Sequence, residues 1–231
     1  MRKIFETFFA GLFFGAFFVS SAVLAQSSLR VVVFGDSLVS GYHIQAEQAY
    51  AARLEQKLRE IGYTGVSVIN MAAEGLTTAT AMDRVSNVLD QQPDVIVMAF
   101  GTDDLARGVA VSQTYTNLAY ITTKLSPPGS YMVMMGVKAP PSLGYATVKQ
   151  FESMYVQVAN LRRALLIPDI MQGISGNSSL TLADDTHPND RGVDIMVESS
   201  YRYVDSCLRT KIQAIQYQQQ YKAYQQNLVN P

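Results

Sequence analysis

Apolar and polar positions follow two alternating patterns along most of this chain. Residues 29–34 read Leu-Arg-Val-Val-Val-Phe, and residues 95–99 read Val-Ile-Val-Met-Ala. Short β-branched runs bounded by turn residues predict strands. The 95–99 run has no polar alternation, so it predicts a strand covered on both faces. Further strands are expected over residues 66–69, 131–137 and 166–170. Between these runs the period lengthens. Tyr50, Leu54, Leu58 and Ile61 recur at three- and four-residue spacing, and Gly62 supplies a stop, which predicts a helix over residues 47–61. Met82, Val85, Val88 and Leu89 mark a second helix over residues 77–91. Others are expected over residues 111–125, up to Ser126-Pro127-Pro128-Gly129, and over residues 147–166. Residues 138–145 and the Gly/Ser-rich residues 171–185 read as loops. Pro188 is expected to open a last helix at its first turn.

Strands alternating with helices imply a parallel sheet with helices on both faces. With right-handed crossovers, the spacing predicts a three-layer α/β/α sandwich of about five parallel strands with flavodoxin-like topology. Such sheets carry their sites at the carboxyl ends of the strands.

Two segments stand outside this alternation. Arg2 and Lys3 precede an apolar run from Phe8 to Val23, and Val23-Leu24-Ala25 places small residues at the −3 and −1 positions of a signal-peptidase site. Residues 1–25 therefore read as a secretory signal peptide, too short for a span, which implies a periplasmic or secreted protein with no stable membrane span after cleavage. No Cys follows the run, which argues against a lipoprotein. Residues 26–212 form one domain. Residues 213–231 are a Gln/Tyr-rich tail, expected to be a helix extension that frays into disorder, with a partner-docking tail as the alternative.

The chain has 18 basic and 19 acidic residues, which gives no indication of nucleic acid or a strongly charged polymer as partner. Its single cysteine, Cys207, cannot form an internal disulfide and is expected to pack in a late helix. No Cys/His cluster suggests a metal, and no cofactor is implied. Oligomeric state is open.

The chemistry lies in two short stretches. The first strand breaks at Gly35-Asp36-Ser37-Leu38, and far downstream the chain reads Asp184-Asp185-Thr186-His187-Pro188-Asn189. A serine at a strand end, with an Asp-x-x-His elsewhere, supplies a nucleophile, a base and an orienting acid for acyl transfer. The only histidines are His43 and His187, so the choice of base is narrow. His43 reads as a surface or rim residue.

With Val68-Ile69-Asn70-Met71-Ala72-Ala73-Glu74-Gly75 and Gly101-Thr102-Asp103-Asp104, these stretches resemble, in order, the four blocks of the GDSL/SGNH hydrolase superfamily. The resemblance is closest to its bacterial periplasmic arylesterase and lysophospholipase/thioesterase branch, to which Ser40-Gly41-Tyr42 is also similar. It implies Ser37 as nucleophile, His187 as general base and acid, and Asp184 as its orienting partner, with Asp185 the lesser candidate. It implies an oxyanion hole from Ser37, Gly75 and the residue at position 103. The family carries Asn there and this chain carries Asp103, which as a carboxylate only accepts hydrogen bonds. Three compensations are open: protonation of Asp103, donation by the Thr102 hydroxyl, or a side chain turned away. The activity implied is hydrolysis of a small acyl or aryl ester, lysophospholipid or thioester. A weakened glycan- or lipid-binding protein and an O-acyltransferase are the alternatives. Pro140, Pro141, Leu143 and Tyr145 are candidates for an apolar cleft loop.

Overall fold

The computed structural model describes residues 28–229; the signal peptide expected over residues 1–25 lies outside them. Five strands form one parallel sheet: β1 (Arg30–Gly35), β2 (Ser67–Asn70), β3 (Val95–Ala99), β4 (Tyr131–Met135) and β5 (Leu165–Ile167). Their order is β2-β1-β3-β4-β5. The chain thus winds one way from β1 to β2, then returns past β1 to β3. That reversal opens a crevice beyond the carboxyl ends of β1 and β3, where open α/β sheets carry their ligands. Phe34 pairs with Met98 and Gly35 with Ala99, so both strands end level at this crevice.

Helices cover both faces. On one lie α2 (Tyr50–Glu60) and α8 (Asp190–Val229), preceded in the chain by the single turn α1 (Ser37–Ser40). The other carries α3 (Thr78–Ala81), α4 (Val85–Asp90), α6 (Val111–Lys124) and α7 (Tyr145–Arg162), with α5 (Thr102–Ala106) at the sheet's end. Every residue of β3, and β1 from Val31 to Gly35, is buried, as runs without polar alternation require. Among the described residues no helix is long and apolar enough to cross a membrane. Cys207 is buried in α8 and unpaired.

Four expectations about elements need correction. The helix over residues 77–91 is broken by a 3₁₀ turn at Met82–Arg84. The helix expected to reach residue 166 stops at Arg162, because Arg163 takes a left-handed conformation (φ 52°) and the Ala164 N–H returns to the Ala159 carbonyl. This is a Schellman stop with Arg in the place usually taken by Gly. Pro188 does not open the last helix. It bridges to Thr181, and Asn189 caps α8 instead, its Oδ1 accepting the Gly192 N–H at 3.0 Å. Finally, the helix extension expected from residue 213 is present, and the change to irregular chain expected within it does not occur before Val229. Extending an existing helix needs no new nucleus, and no Gly or Pro interrupts this stretch.

Candidate active site

Gly35 ends β1 where the backbone meets β3. A Cβ there would sit 2.5 Å from both the Ala99 carbonyl oxygen and Val39 Cγ2, so only glycine fits. The next residue, Asp36, is buried and caps α1, its Oδ1 accepting the Leu38 N–H. Its Oδ2 accepts the Thr102 N–H at 2.8 Å, which ties the end of β1 to α5 beyond β3. Ser37 is therefore presented on the first turn of α1, directly over the crevice.

Asp184 and His187 come from the loop before α8. Asp184 accepts three hydrogen bonds: from the backbone N–H groups of Thr186 and His187, both at 2.9 Å, and from His187 Nδ1 at 2.7 Å. Partial burial works against its ionisation, but the three donors outweigh it and hold the Asp184 carboxyl down at about 2. With Nδ1 donating to Asp184, Nε2 is the lone-pair nitrogen. Neither His187 Nε2 nor Ser37 Oγ makes a hydrogen bond among the described residues, and both are buried. Ser37 and His187 line the same narrow cleft, with Tyr42, Ile44, Tyr50 and Pro188. Asp185 is exposed with φ 55° and makes no bond to His187 among the described residues.

Position 103 behaves in a way that sequence could not specify. Asp103 does not turn away from the site: its Oδ2 accepts the Ser37 N–H at 3.1 Å. A carboxylate oxygen thus sits on the backbone donor nearest the serine. Gly75, at φ 73°, lies in the loop after β2, and its carbonyl accepts from Arg107, after α5, at 3.4 Å. Asp104, buried beside Asp103, faces the other way and is satisfied by the Thr78 N–H and the hydroxyls of Thr78 and Thr114.

Burial, and then the charge of Asp103, push the Asp36 carboxyl up to about 7 against the backbone donors that favour its ionised form. The folded state therefore holds this proton more tightly than the unfolded chain. The stability tied to it is fully present below about pH 4 and is lost as pH rises to about 7, on the order of 4 kcal/mol across that window. Asp184 acts in the opposite sense, but its stabilisation is lost only as pH falls from about 4 to about 2. The midpoint of thermal unfolding is accordingly expected to fall between pH 5 and pH 7. In Asp103→Asn the fall should be shallower, since the second cause of the Asp36 shift is gone. Parallel curves for the two proteins would show that Asp103 does not act on Asp36.

Tyr42 is a neighbour that the sequence reading did not single out for a role. Its ring lies between two imidazoles, 4.0 Å from His43 and 4.2 Å from His187, centroid to centroid. His43 itself is exposed, as expected of a rim residue. The candidate cleft loop is not where it was expected. Pro140, Pro141, Leu143 and Tyr145 are exposed on the 3₁₀ turn and helix start beyond β4, and none lines the Ser37 cleft. The wall beside that cleft is built instead around Gly41 and Ile44, which also line an open depression of about 490 Å³ with Ala46, Ala49, Ala52 and Val68.

Comparison with known proteins places this geometry in context. The profile described as GDSL-like Lipase/Acylhydrolase family matches residues 33–195. The chain is 30% identical to an arylesterase of Vibrio mimicus over 173 residues, covering 74% of this chain and 86% of that protein. It is 29% identical to the esterase TesA of Pseudomonas aeruginosa over 159 residues, covering 68% and 79%. Among solved structures, the esterase EstA from Pseudoalteromonas sp., inhibited by monoethylphosphonate, superposes with a TM-score of 0.71 at 26% identity, covering 78% of this chain and 98% of that one.

Proposed function

The chain belongs to the GDSL-like lipase/acylhydrolase family, and on that premise we propose that it is an exported serine ester hydrolase in which Ser37, His187 and Asp184 act as nucleophile, base and orienting acid. The observation that carries the reading is the polarised pair at the cleft. Asp184 takes up Nδ1 of His187 at 2.7 Å, and Nε2 is left buried and unbonded in the cleft that also holds the unbonded Ser37 Oγ. In the reaction, Ser37 Oγ attacks the ester carbonyl while His187 Nε2 takes its proton. The tetrahedral intermediate collapses to an acyl-enzyme as His187 returns the proton to the leaving alcohol or thiol. Water, deprotonated by the same nitrogen, releases the acid. Asp184 keeps the imidazole in the productive tautomer and stabilises its charged form.

The oxyanion hole is assigned to the N–H groups of Ser37 and Gly75, with position 103 as the third member. The depression beside the cleft mixes Ala46, Ala49, Ala52 and Val68 with Ser40, Glu55 and Asn70 and has room for a small or medium acyl or aryl group, as an aryl ester, a lysophospholipid or a thioester carries. Steady-state and rapid-mixing assays with a short p-nitrophenyl ester test the reading. Turnover with an initial burst approaching one equivalent of nitrophenol is expected if deacylation limits. Absence of turnover at every pH from about 5 to 9 would sink it.

Asp103 favours a second reading, a catalytically weakened protein that uses the same cleft to hold a lipid or glycan, because its carboxylate occupies the Ser37 N–H. Acyl transfer to an alcohol shares the acyl-enzyme and differs only in the acceptor.

Tyr42 is assigned a positioning role. Its π-face lies against the imidazole that becomes cationic in the transition state, a contact worth about 0.5–2 kcal/mol. Tyr42→Leu is expected to lower kcat by roughly 3- to 30-fold and to move the acidic limb of the pH–rate profile to lower pH, while Tyr42→Phe retains both. A Leu variant with an unmoved profile would reduce Tyr42 to packing.

A further inference from the structure

The last helix serves the domain along only part of its length. α8 is 40 residues long, or roughly 60 Å at 1.5 Å per residue. Its first part is pinned to the body of the protein: Val193, Met196, Val204, Leu208 and Ile212 are buried. Tyr50 and Ser200 share a hydrogen bond across the contact with α2, and Tyr63 donates to Asp205. Ile215 is the last residue packed against the core. Beyond it Tyr217, Tyr221, Tyr224 and Leu228 are 71%, 55%, 61% and 58% exposed.

These exposed positions are ordered. Ala214, Tyr217, Tyr221, Tyr224 and Leu228 follow one another at spacings of three, four, three and four, the seam of a helix that packs on another helix. At 3.6 residues per turn this seam lies on the side of α8 opposite Val204, Leu208 and Ile212. The buried Met196, Ser200 and Cys207 stand at the same seven-residue repeat as the row, so the aromatic positions carry one edge of the core-facing stripe out beyond the body of the domain. The row is not part of the shared family region, which ends at residue 195.

We propose that residues 214–228 pair antiparallel with the same segment of a second copy of this chain, centred on Tyr221. The seam is self-complementary in that direction. Ala214 meets Leu228, Tyr217 meets Tyr224, and Tyr221 meets its own counterpart, so small stands against large and ring against ring. A two-fold contact of this kind closes on itself and gives a dimer, not a filament. The flanking positions are mostly Gln, and Lys222 is the single charged residue between 214 and 228, so little like-charge repulsion opposes the approach. Large aromatic side chains bury roughly 150–250 Å² each. With three such residues and Leu228 on each copy, each more than half exposed, the contact removes on the order of 800–1,000 Å². That is below the roughly 1,200–2,000 Å² of stable interfaces and in the range of weak, transient ones, so the dimer is reversible, with a Kd on the order of micromolar or weaker. No residue of this segment lines the Ser37 cleft, so pairing leaves it open. The proposal stands independently of the chemistry assigned to that cleft.

Sedimentation of the full chain across concentrations from ~1 to ~200 µM, bracketing the expected Kd, tests it. The wild-type mass should climb from one chain toward two. A Tyr217→Glu/Tyr221→Glu double variant should stay at one chain throughout, with ester turnover and helix content unchanged. Mixed Ala214→Cys and Leu228→Cys chains should cross-link to each other on mild oxidation more readily than either does to itself. A wild type that remains single at every concentration overturns the proposal. So does a double variant that associates as the wild type does, or cross-linking confined to like pairs.

Discussion

Replacing Ser37 with alanine is expected to lower kcat on a short p-nitrophenyl ester by on the order of 10⁴- to 10⁶-fold. The loss should fall almost wholly on kcat. The Ser37 N–H is retained in the alanine variant, and the cleft keeps its Leu38, Ile44 and Tyr50 walls, so substrate binding has little reason to change. Stability gives the complementary signature. Ser37 Oγ is buried and makes no hydrogen bond among the described residues, so the wild type already bears the cost of a desolvated hydroxyl. Its removal should leave the thermal midpoint unchanged or slightly higher, which is how a site that sacrifices stability for reactivity behaves. Loss of activity with a falling midpoint would point to a structural serine instead.

The second large effect concerns position 103 and runs the other way. Asp103→Asn is expected to raise kcat/KM, by roughly 10- to 1,000-fold. In the wild type an Asp103 oxygen already accepts the Ser37 N–H at 3.1 Å, the donor that a substrate oxyanion needs. Two penalties follow. One donor of the hole is missing, and such donors are worth about 10²–10³ in kcat. A negative carboxylate also faces a developing negative oxygen. Near 4 Å and an effective dielectric near 20, that repulsion is about 4 kcal/mol before relaxation. Asparagine removes the charge and brings an amide that can donate. A fall in kcat/KM would mean that the carboxyl itself serves the reaction, as a protonated donor would. Measuring the pair of enzymes from about pH 5 to 9 separates these outcomes, because an ionisable donor fails as pH rises and an amide does not.

The sheet was the part of the molecule easiest to read from sequence. β1 and β3 are runs without a polar partner, and a strand buried on both faces leaves that mark whatever surrounds it. The flavodoxin-like topology was expected from right-handed crossovers and short spacing, and the observed order β2-β1-β3-β4-β5 is that topology's. The break at Met82–Arg84 left no such mark, since the apolar period continues through it. The end of α7 was hidden for a related reason. Leu165 and Leu166 continue the apolar pattern past Arg163, and only the backbone turn there shows where helix becomes strand. In the site, the choice of His187 was narrow because the chain has two histidines, whereas Ser37 and Asp184 came from the resemblance of their stretches to the family's blocks. The same reading placed Asp103 at the right strand end but could not give the direction of its carboxylate. That direction depends on Asp36 joining β1 to α5 through the Thr102 N–H, a contact across 66 positions of chain. Tyr42 entered only as part of Ser40-Gly41-Tyr42, because its partner His187 is adjacent to it only in three dimensions.

The central claim is that Ser37 is the nucleophile and is activated through His187 and Asp184. Intact-mass analysis with peptide mapping after treatment with a fluorophosphonate tests it most directly. The account predicts one phosphonyl adduct per chain, located on Ser37, formed in step with loss of ester turnover, absent from Ser37→Ala and strongly slowed in Asp184→Asn. An adduct on another residue, or an active enzyme that takes up no phosphonyl group, would contradict it.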